Sequence, residues 1–198
     1  LGLNVQLKQS YRDGAKQIPE ITKHLAKLSP EAILLCAYPP DGYLFLEHLT
    51  KSGLRPKAIA ISIAPSLPNF YNKAGPIAEG IFGPSQWEPD ERIPFPGTIQ
   101  FIKLFVEFAG ISPSYHAGAA YAGCQLLQES IIANDGLDHM KIRDYIASLD
   151  TVTVIGRFKV DTTGRQVGHN TLIIQWQDGK KEIVYPTKMQ TAKPRFIK

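Results

Sequence analysis

The stretch that decides the fold runs from Thr153 to Pro186 and reads TVIGRFKVDTTGRQVGHNTLIIQWQDGKKEIVYP. Polar and apolar residues alternate over Arg157 to Asp161, as is typical of a half-buried strand. Leu172 to Trp176 is mostly apolar and predicts a buried strand. Between it and Lys181 to Tyr185 stands Asp178-Gly179, a strong hairpin signal because glycine accepts a positive φ without steric cost. The stretch therefore predicts three strands joined by turns.

Upstream of this stretch, strand-like and helical patterns alternate along the chain. Leu3 to Ser10 predicts a strand. The helix that follows is marked by apolar residues at helical spacing: Ile18, Ile21, Leu25 and Leu28. Glu31 to Ala37 contains the continuous apolar run expected of a parallel strand buried on both faces. A helix over Tyr43 to Thr50, ended by Gly53, precedes a short apolar strand over Lys57 to Ile61. This alternation predicts a doubly wound α/β sheet.

The pattern changes between Ala64 and Pro96, a segment that contains seven prolines. We interpret this segment as a crossover between two lobes, with a strand candidate at Ile77 to Phe82. Three helices are then predicted, over Thr98 to Ala109, Ser114 to Ala133 and Asp138 to Ala147. The second of these is rich in alanine and glycine, so it can approach a neighbouring element closely.

Composition and charge indicate an ordinary packed globular protein. The 198 residues are 43% hydrophobic and carry a net charge of +4. From Gly179 onward there are six basic residues and one acid. No aromatic interleaving accompanies them, so we interpret this tail as a solvated end and expect no nucleic-acid partner. Cys36 and Cys124 are interpreted as core residues, since two thiols so far apart make no disulfide framework.

Motifs of common enzymes and metal sites do not occur in the sequence. It lacks a Gly-x-Ser-x-Gly elbow, a Walker-type loop, a Cys-x-x-Cys pair and a His-Glu-x-x-His helix. The five histidines show no metal-ligand spacing. Asp161 to Gly164 has only one acid, and Leu172 stands where a calcium loop needs its final glutamate, so a turn is favoured. We expect no catalytic residue, no metal and no cofactor.

Three longer strings carry a family resemblance: FGPSQWEPD at Phe82 to Asp90, PSYHAGAAYAGCQLL at Pro113 to Leu127 and GRFKVDTTGRQVGH at Gly156 to His169. They resemble the periplasmic substrate-binding proteins of ABC transporters, in the branched-chain amino acid-binding-like group, and occur in the family's order. The resemblance covers essentially the whole chain. It implies a type I periplasmic-binding-protein-like α/β fold with doubly wound parallel sheets in two lobes, only partly represented here.

The resemblance also implies an organisation along the chain. Residues 1–80 are expected to belong to the C-terminal lobe, 81–97 to the crossover or hinge, and 98–170 to the N-terminal lobe. Residues 171–198 would supply the terminal strands, the return through the hinge and the tail. Because members of the family are much longer, we interpret the chain as a C-terminal portion and expect any export signal upstream of it.

Ligands of open α/β sheets bind beyond the carboxyl ends of the strands. Tyr38 follows the first predicted parallel strand, and the loop Ser62 to Ser66 follows the second. In the resembled family an aromatic residue at the first position commonly packs against the ligand, and the loop commonly carries an acid for an α-ammonium group. This loop has no acid. The predicted ligand-binding residues are Tyr38, Ser62, Ala64, Ser66 and, from the crossover, Trp87.

Each of the two aromatic residues also has a purely structural interpretation. Tyr38 would then cover the edge of the sheet, and Trp87 would pin the hinge. Trp176 is expected in the core, and His116 is expected to cap or pack its helix.

The resemblance implies an extracytoplasmic or periplasmic solute-binding component of an ABC importer, lipid-anchored in a Gram-positive source. It would close on a small organic ligand and be recognised by the membrane permease. An unpaired ammonium group in a closed cleft is costly, so a carboxylate, amide or aromatic acid is favoured over a plain amino acid. The alternative is a ligand-sensing regulatory domain of the same fold, and a small α/β enzyme is a third. Self-association of the isolated portion is also expected.

Overall fold

A computed structural model describes residues 2–196, which form two compact units. The first unit is drawn from Leu1–Pro84 and Ile173–Lys198, and the second is drawn from Ser85–Leu172. The predicted assignment of segments to lobes and to a hinge stays a prediction. The helices and strands, in chain order, are α1 (Gly14–Leu28), β1 (Ala32–Leu35), α2 (Pro39–Ser52), β2 (Ala58–Ile61), α3 (Phe70–Ala74), β3 (Ile81–Ser85), α4 (Thr98–Ala109), α5 (Tyr115–Asn134), α6 (His139–Ser148), β4 (Asp150–Thr153), β5 (Gly156–Lys159), β6 (Leu172–Gln177) and β7 (Lys180–Tyr185).

A five-stranded sheet in the order β1-β2-β3-β6-β7 forms the centre of the first unit. β1, β2 and β3 pair in parallel, whereas β6 and β7 form an antiparallel hairpin. The hairpin turns at Asp178 and Gly179, whose φ angles of 54° and 74° match the left-handed conformation that its sequence predicts. The fold is therefore mixed α/β with a largely parallel sheet, which confirms the predicted class.

Helix α2 ends at the predicted Gly53 but begins at Pro39, four residues before the predicted start at Tyr43. Asp13 caps α1 by accepting a hydrogen bond from the amide of Lys16, and Gly53 ends α2 in the left-handed conformation. The core side chains of the first unit are mostly apolar; the largest fully buried ones include Phe45, Phe70, Ile18, Leu46 and Ile61. Burial of this apolar surface is the main stabilising contribution.

Several predictions for the first unit are wrong. Leu3 to Ser10 forms no strand, and Leu3 is 81% exposed. β1 is not buried on both faces: it lies at the edge of the sheet, and Leu34 is 76% exposed. A run of apolar residues indicates a preference for the strand conformation, whereas burial depends on which elements cover each face of the sheet.

The third parallel strand and the two cysteines also differ from expectation. The strand predicted at Ile77 to Phe82 begins later, at Ile81, because a 3-10 turn occupies Gly75–Ala78. Cys36 and Cys124 are both exposed free thiols and are not core residues.

The second unit packs α4, α5 and α6 with a two-stranded antiparallel sheet of β4 and β5. Its core cluster contains Trp87, Phe101, Ala122 and Val154. Thr98 is fully buried at the start of α4, and its hydroxyl donates to the carbonyl of Val154. The bounds of α4 are those predicted, whereas β4 was not predicted because its four residues carry little hydrophobic pattern.

Close approach of α5 to its neighbours depends on Gly118. A Cβ atom at this position would lie 2.8 Å from Cε3 of Trp87 and 2.9 Å from Cγ2 of Ile155. Those distances are shorter than side-chain carbons tolerate, so only glycine fits against the indole. Gly118 and the buried Ala122 therefore serve packing, as the sequence predicts for the small residues of α5, whereas Ala119, Ala120 and Gly123 are exposed.

Replacing Gly118 with alanine should destabilise the protein. Overpacking of a filled core costs about 1–3 kcal/mol, more than the roughly 1 kcal/mol that alanine gains over glycine in a helix. Gly123 lies in the same helix with no atom within 4 Å of a built Cβ. Gly123→Ala is therefore the matched control and should be neutral or stabilising in urea unfolding. Equal stability of the two variants would contradict this account of α5.

Candidate functional site

The carboxyl ends of β1 and β2 lie side by side, because Leu35 pairs with Ile61 in the parallel register. Ser62 links the two chain segments that leave these strands. Its amide donates to the carbonyl of Leu35 at 3.0 Å. Its hydroxyl accepts from the amide of Ala37 and donates to the carbonyl of Ala37, both at 3.0 Å. The predicted residue Ser62 is thus placed at this edge by three hydrogen bonds.

Tyr38 stands at the same edge, as the N-cap residue of α2. Its side chain makes no capping hydrogen bond and is 75% exposed. Pro39 and Pro40 follow it in the first turn, and the proline rings restrict the backbone that carries the phenol ring. The aromatic ring of Tyr38 is therefore exposed near the carboxyl ends of β1 and β2.

The start of α2 has few free amide donors for an anion. Pro39 and Pro40 have no N–H, and the amide of Gly42 donates to the carbonyl of Tyr38 at 3.0 Å. Anion binding at a helix N-terminus relies on such free amides. This end of α2 is therefore poorly suited to hold a carboxylate.

An acid that the sequence reasoning did not assign to the site, Asp41, lies in the first turn of α2. Its carboxylate is packed against Gly14 of α1, where a built Cβ would lie 2.1 Å from Oδ1. Tyr11 lies near it, and the pKa of Tyr11 is raised by burial and by its interaction with the Asp41 carboxylate. Asp41 could have been predicted to lie near the site, because it follows Tyr38 by only three residues. The position of Tyr11 could not, because it is distant from both residues in the sequence.

The loop from Ser62 to Ser66 is held in place by contacts with α2 and with Trp176 of β6. Ala64 is fully buried, and a Cβ built on Gly42 would lie 3.4 Å from its methyl carbon. Nε1 of Trp176 donates to the carbonyl of Pro65 at 2.8 Å. These contacts hold the loop against α2 and the sheet.

Ser66 ends the loop and is fully buried. Its hydroxyl donates to the carbonyl of Pro84, and its carbonyl accepts from Nζ of Lys181 at 3.1 Å. Contact between Ser66 and a ligand stays a prediction, and its surroundings give the side chain a structural role.

A cluster of aromatic rings supports this loop. Phe70 lies between Tyr43 and Trp176, with ring centroids 5.7 Å and 5.8 Å away. Tyr71 stacks on Trp176 at 5.4 Å. Burial raises the pKa of Tyr43, whose hydroxyl is buried and finds no hydrogen-bond partner among the described residues. Trp176 is 5% exposed and thus a core residue, as predicted.

Trp87, the remaining predicted site residue, belongs to the second unit. It is only 2% exposed and tilts against Phe101, with centroids 6.0 Å apart. Its Nε1 is buried without a hydrogen-bond partner in the described part of the chain. A ligand contact of Trp87 stays a prediction, and the contacts observed are those of a core side chain.

Residues 2–196 contain neither a candidate metal site nor a candidate membrane-spanning helix. Within that range no three His, Cys, Asp or Glu side chains are grouped so that they could hold a metal ion. None of the described helices combines the length and apolar character needed to cross a bilayer.

Known proteins resemble this chain over most of its length. The family model described as "Periplasmic binding protein" matches residues 1–181. The Leu/Ile/Val-binding protein homolog 8 of Brucella abortus is 25% identical, over 100% of this chain and 51% of its own length. Homolog 7 of Brucella suis is also 25% identical, over 93% of this chain and 48% of its own. The chain thus spans about half the length of the curated relatives that it matches.

Solved structures of similar fold include a leucine-binding protein from Thermotoga maritima, with a TM-score of 0.75 at 17% identity over 87% of this chain and 49% of that one. A solute-binding protein of an ABC transporter from R. palustris, in complex with benzoate, has a TM-score of 0.71 at 18% identity, over 89% and 48% of the two chains. At such identities the likeness concerns the fold. With the family model matching all but the last residues, the chain belongs to the periplasmic binding protein family.

Proposed function

We propose that the protein is the extracytoplasmic solute-binding component of an ABC importer and that its ligand is a small organic molecule without an amine. One observation supports this ligand class: exposed Tyr38 stands at the carboxyl edge of the sheet next to a loop, Ser62 to Ser66, that contains no acid. Family membership supports solute binding in general. Relatives of known structure include complexes with leucine and with benzoate, so both ligand classes need testing.

The unused hydrogen-bond acceptor position of the Ser62 hydroxyl favours a ligand with a hydrogen-bond donor. A hydroxyl has one donor and two acceptor positions. Here the proton is given to the carbonyl of Ala37, and one lone pair accepts from the amide of Ala37. One lone pair is left, which can accept from an amide N–H or a hydroxyl group of the ligand. Tyr38 would stack on an aromatic or planar part of the same molecule.

A ligand ammonium group has no suitable partner in these elements. The loop lacks an acid, and Asp41 is turned to Tyr11 and Gly14. A charge that leaves water without a partner costs several kcal/mol. A ligand without an amine therefore fits this edge better than a plain amino acid.

The other predicted residues have supporting roles in this proposal. Ala64 and Ser66 give the loop its shape, and Trp87 stabilises the second unit. Binding would need no chemistry: the ligand stabilises a closed form of the whole protein, which the membrane permease then recognises. The driving free energy is the difference in the ligand's affinity for the closed and open forms.

Binding should discriminate against the amine in a matched pair of ligands. We expect 3-phenylpropanoate to bind at least about 10-fold more tightly than L-phenylalanine, because only the amino acid leaves an ammonium group unpaired. Benzoate and L-leucine form a second comparison. NMR titration of the chain, following the resonances of Tyr38 and Ser62, detects even millimolar binding.

The control for this titration is 3-phenylpropanamide, which keeps the ring and removes the carboxylate charge. The proposed ligand class is wrong if L-phenylalanine or L-leucine binds more tightly than both 3-phenylpropanoate and 3-phenylpropanamide.

Removing the phenol ring of Tyr38 should weaken binding without changing stability. Stacking contributes about 0.5–1.5 kcal/mol, so Tyr38→Ala should raise the Kd for 3-phenylpropanoate roughly 2- to 13-fold. Tyr38→Phe keeps the ring and should bind within about twofold of the original protein. The melting temperature should stay constant in both variants, since the side chain is 75% exposed. If Tyr38→Ala binds with unchanged affinity, the ring does not contact the ligand and instead covers the edge of the sheet.

A further inference from the structure

The hairpin of β6 and β7 holds the loop after β2 by two successive carbonyl groups. Nε1 of Trp176 donates to the carbonyl of Pro65 at 2.8 Å. Nζ of Lys181 donates to the carbonyl of Ser66 at 3.1 Å. Trp176 and Lys181 are direct cross-strand partners in the antiparallel register. Side chains of such partners project from the same face of a sheet, which is why both donors reach the same part of the loop.

The two carbonyl groups stand at the end of a 3-10 turn, Ala64–Ser66. The last carbonyls of a helical turn have no partner within the turn and carry a partial negative charge. A lysine side chain suits this position, because its ammonium group both donates a hydrogen bond and complements that charge. The donors from the hairpin therefore fix the end of the turn.

The hairpin is a firm support for these donors. The carboxylate of Glu79 accepts from the amide of Asp178 at 2.8 Å and from the amide of Gly179 at 2.6 Å. The ring of Trp176 stacks on Tyr71, with centroids 5.4 Å apart. Because other contacts already hold the turn of the hairpin and the indole ring, the hairpin constrains the position of the loop.

The 3-10 turn carries this constraint to the edge where the ligand is proposed to bind. The amide of Ser66 donates to the carbonyl of Ile63 at 3.1 Å, which ties the end of the turn to the residue after Ser62. The hydroxyl of Ser62 bonds both backbone groups of Ala37, and Ala37 directly precedes Tyr38. A continuous chain of hydrogen bonds and peptide linkages thus runs from the hairpin to the exposed phenol ring.

We propose that Lys181 is a positioning residue for the ligand edge. By holding the end of the 3-10 turn, it sets the placement of Ser62 and Tyr38 without touching the ligand itself. This role presupposes the solute-binding function proposed above. Trp176 acts on the same turn, but it is also a core side chain. Lys181 is only partly buried, so it can be altered without opening a large cavity.

The coupling between Lys181 and Ser62 is measured in a double-mutant cycle. Lys181→Met keeps the aliphatic stem and removes the donor. It should raise the Kd for 3-phenylpropanoate about 2- to 30-fold, the range of substitutions within a coupled network. In a Ser62→Ala background the link to Ala37 is already broken, so the same change should alter the Kd less than about twofold. Additive effects of the two substitutions would contradict the positioning role.

Two further lysine variants serve as controls. Lys181→Arg keeps a cationic donor and should bind 3-phenylpropanoate within about twofold of the original protein. Lys180→Met is the matched control, because Lys180 is the exposed neighbour in β7 and its side chain lies on the opposite face of the strand. Its Kd should stay unchanged. Equal losses of affinity in Lys180→Met and Lys181→Met would reveal a general effect of charge and overturn the proposal.

A neutral ligand distinguishes positioning from direct contact. Lys181→Met should weaken the binding of 3-phenylpropanamide by the same factor as that of 3-phenylpropanoate, since both ligands use the same edge. If only 3-phenylpropanoate is affected, Lys181 is a direct partner of the ligand carboxylate and the positioning role is wrong. Circular dichroism melts check that each variant folds.

NMR spectra of the ligand-free chain test the positioning role separately from the proposed function. Lys181→Met should change the backbone resonances of Ser62 and Tyr38 as well as those of Ser66, whereas Lys180→Met should not. Changes confined to Ser66 and its neighbour Leu67 would overturn the role of Lys181, whether or not a ligand binds. If Ser62 and Tyr38 respond but the unaltered chain binds neither ligand, the proposed function is wrong and the chain of hydrogen bonds is supported.

Discussion

Because β1 and β2 run parallel with Leu35 opposite Ile61, the two chain segments that follow them leave the sheet at the same edge. The backbone groups freed at this edge need partners, and the Ser62 hydroxyl serves both the amide and the carbonyl of Ala37. That link holds the start of α2 next to the loop after β2. Tyr38 is presented by this arrangement, so the candidate site depends on the pairing of two strands and on one hydroxyl group.

At this edge of the sheet, most polar groups already have partners within the protein, and this limits what a ligand can contact. Ser62 keeps one lone pair, Asp41 is packed against Gly14 and lies near Tyr11, and two prolines remove amide donors from the first turn of α2. What remains for a ligand is an aromatic face and an acceptor oxygen. The chemical character of the proposed ligand follows from that remainder, and it does not require a single strongly charged contact.

Local signals in the sequence predicted most helices and turns of this protein, because their causes lie within a few residues. The Asp178-Gly179 hairpin, the end of α2 at Gly53 and the bounds of α4 depend on backbone preference and on apolar spacing. Predictions failed where the cause was distant. Leu3 to Ser10 has the pattern of a strand but no neighbouring strand to pair with among the described residues, and Cys124 has the neighbours of a core residue but lies on an outward face.

The sequence by itself determined the family, the α/β class and the positions of Tyr38 and Ser62 after the first two strands, since long motifs and local periodicity carry that information. Only the tertiary structure decided which of the predicted site residues reach the surface: Ser66 and Trp87 are buried, whereas Tyr38 is open. It also brought Tyr11 close to Asp41. The physical reason is that exposure and pairing are set by neighbours far away in the chain, which no local pattern encodes.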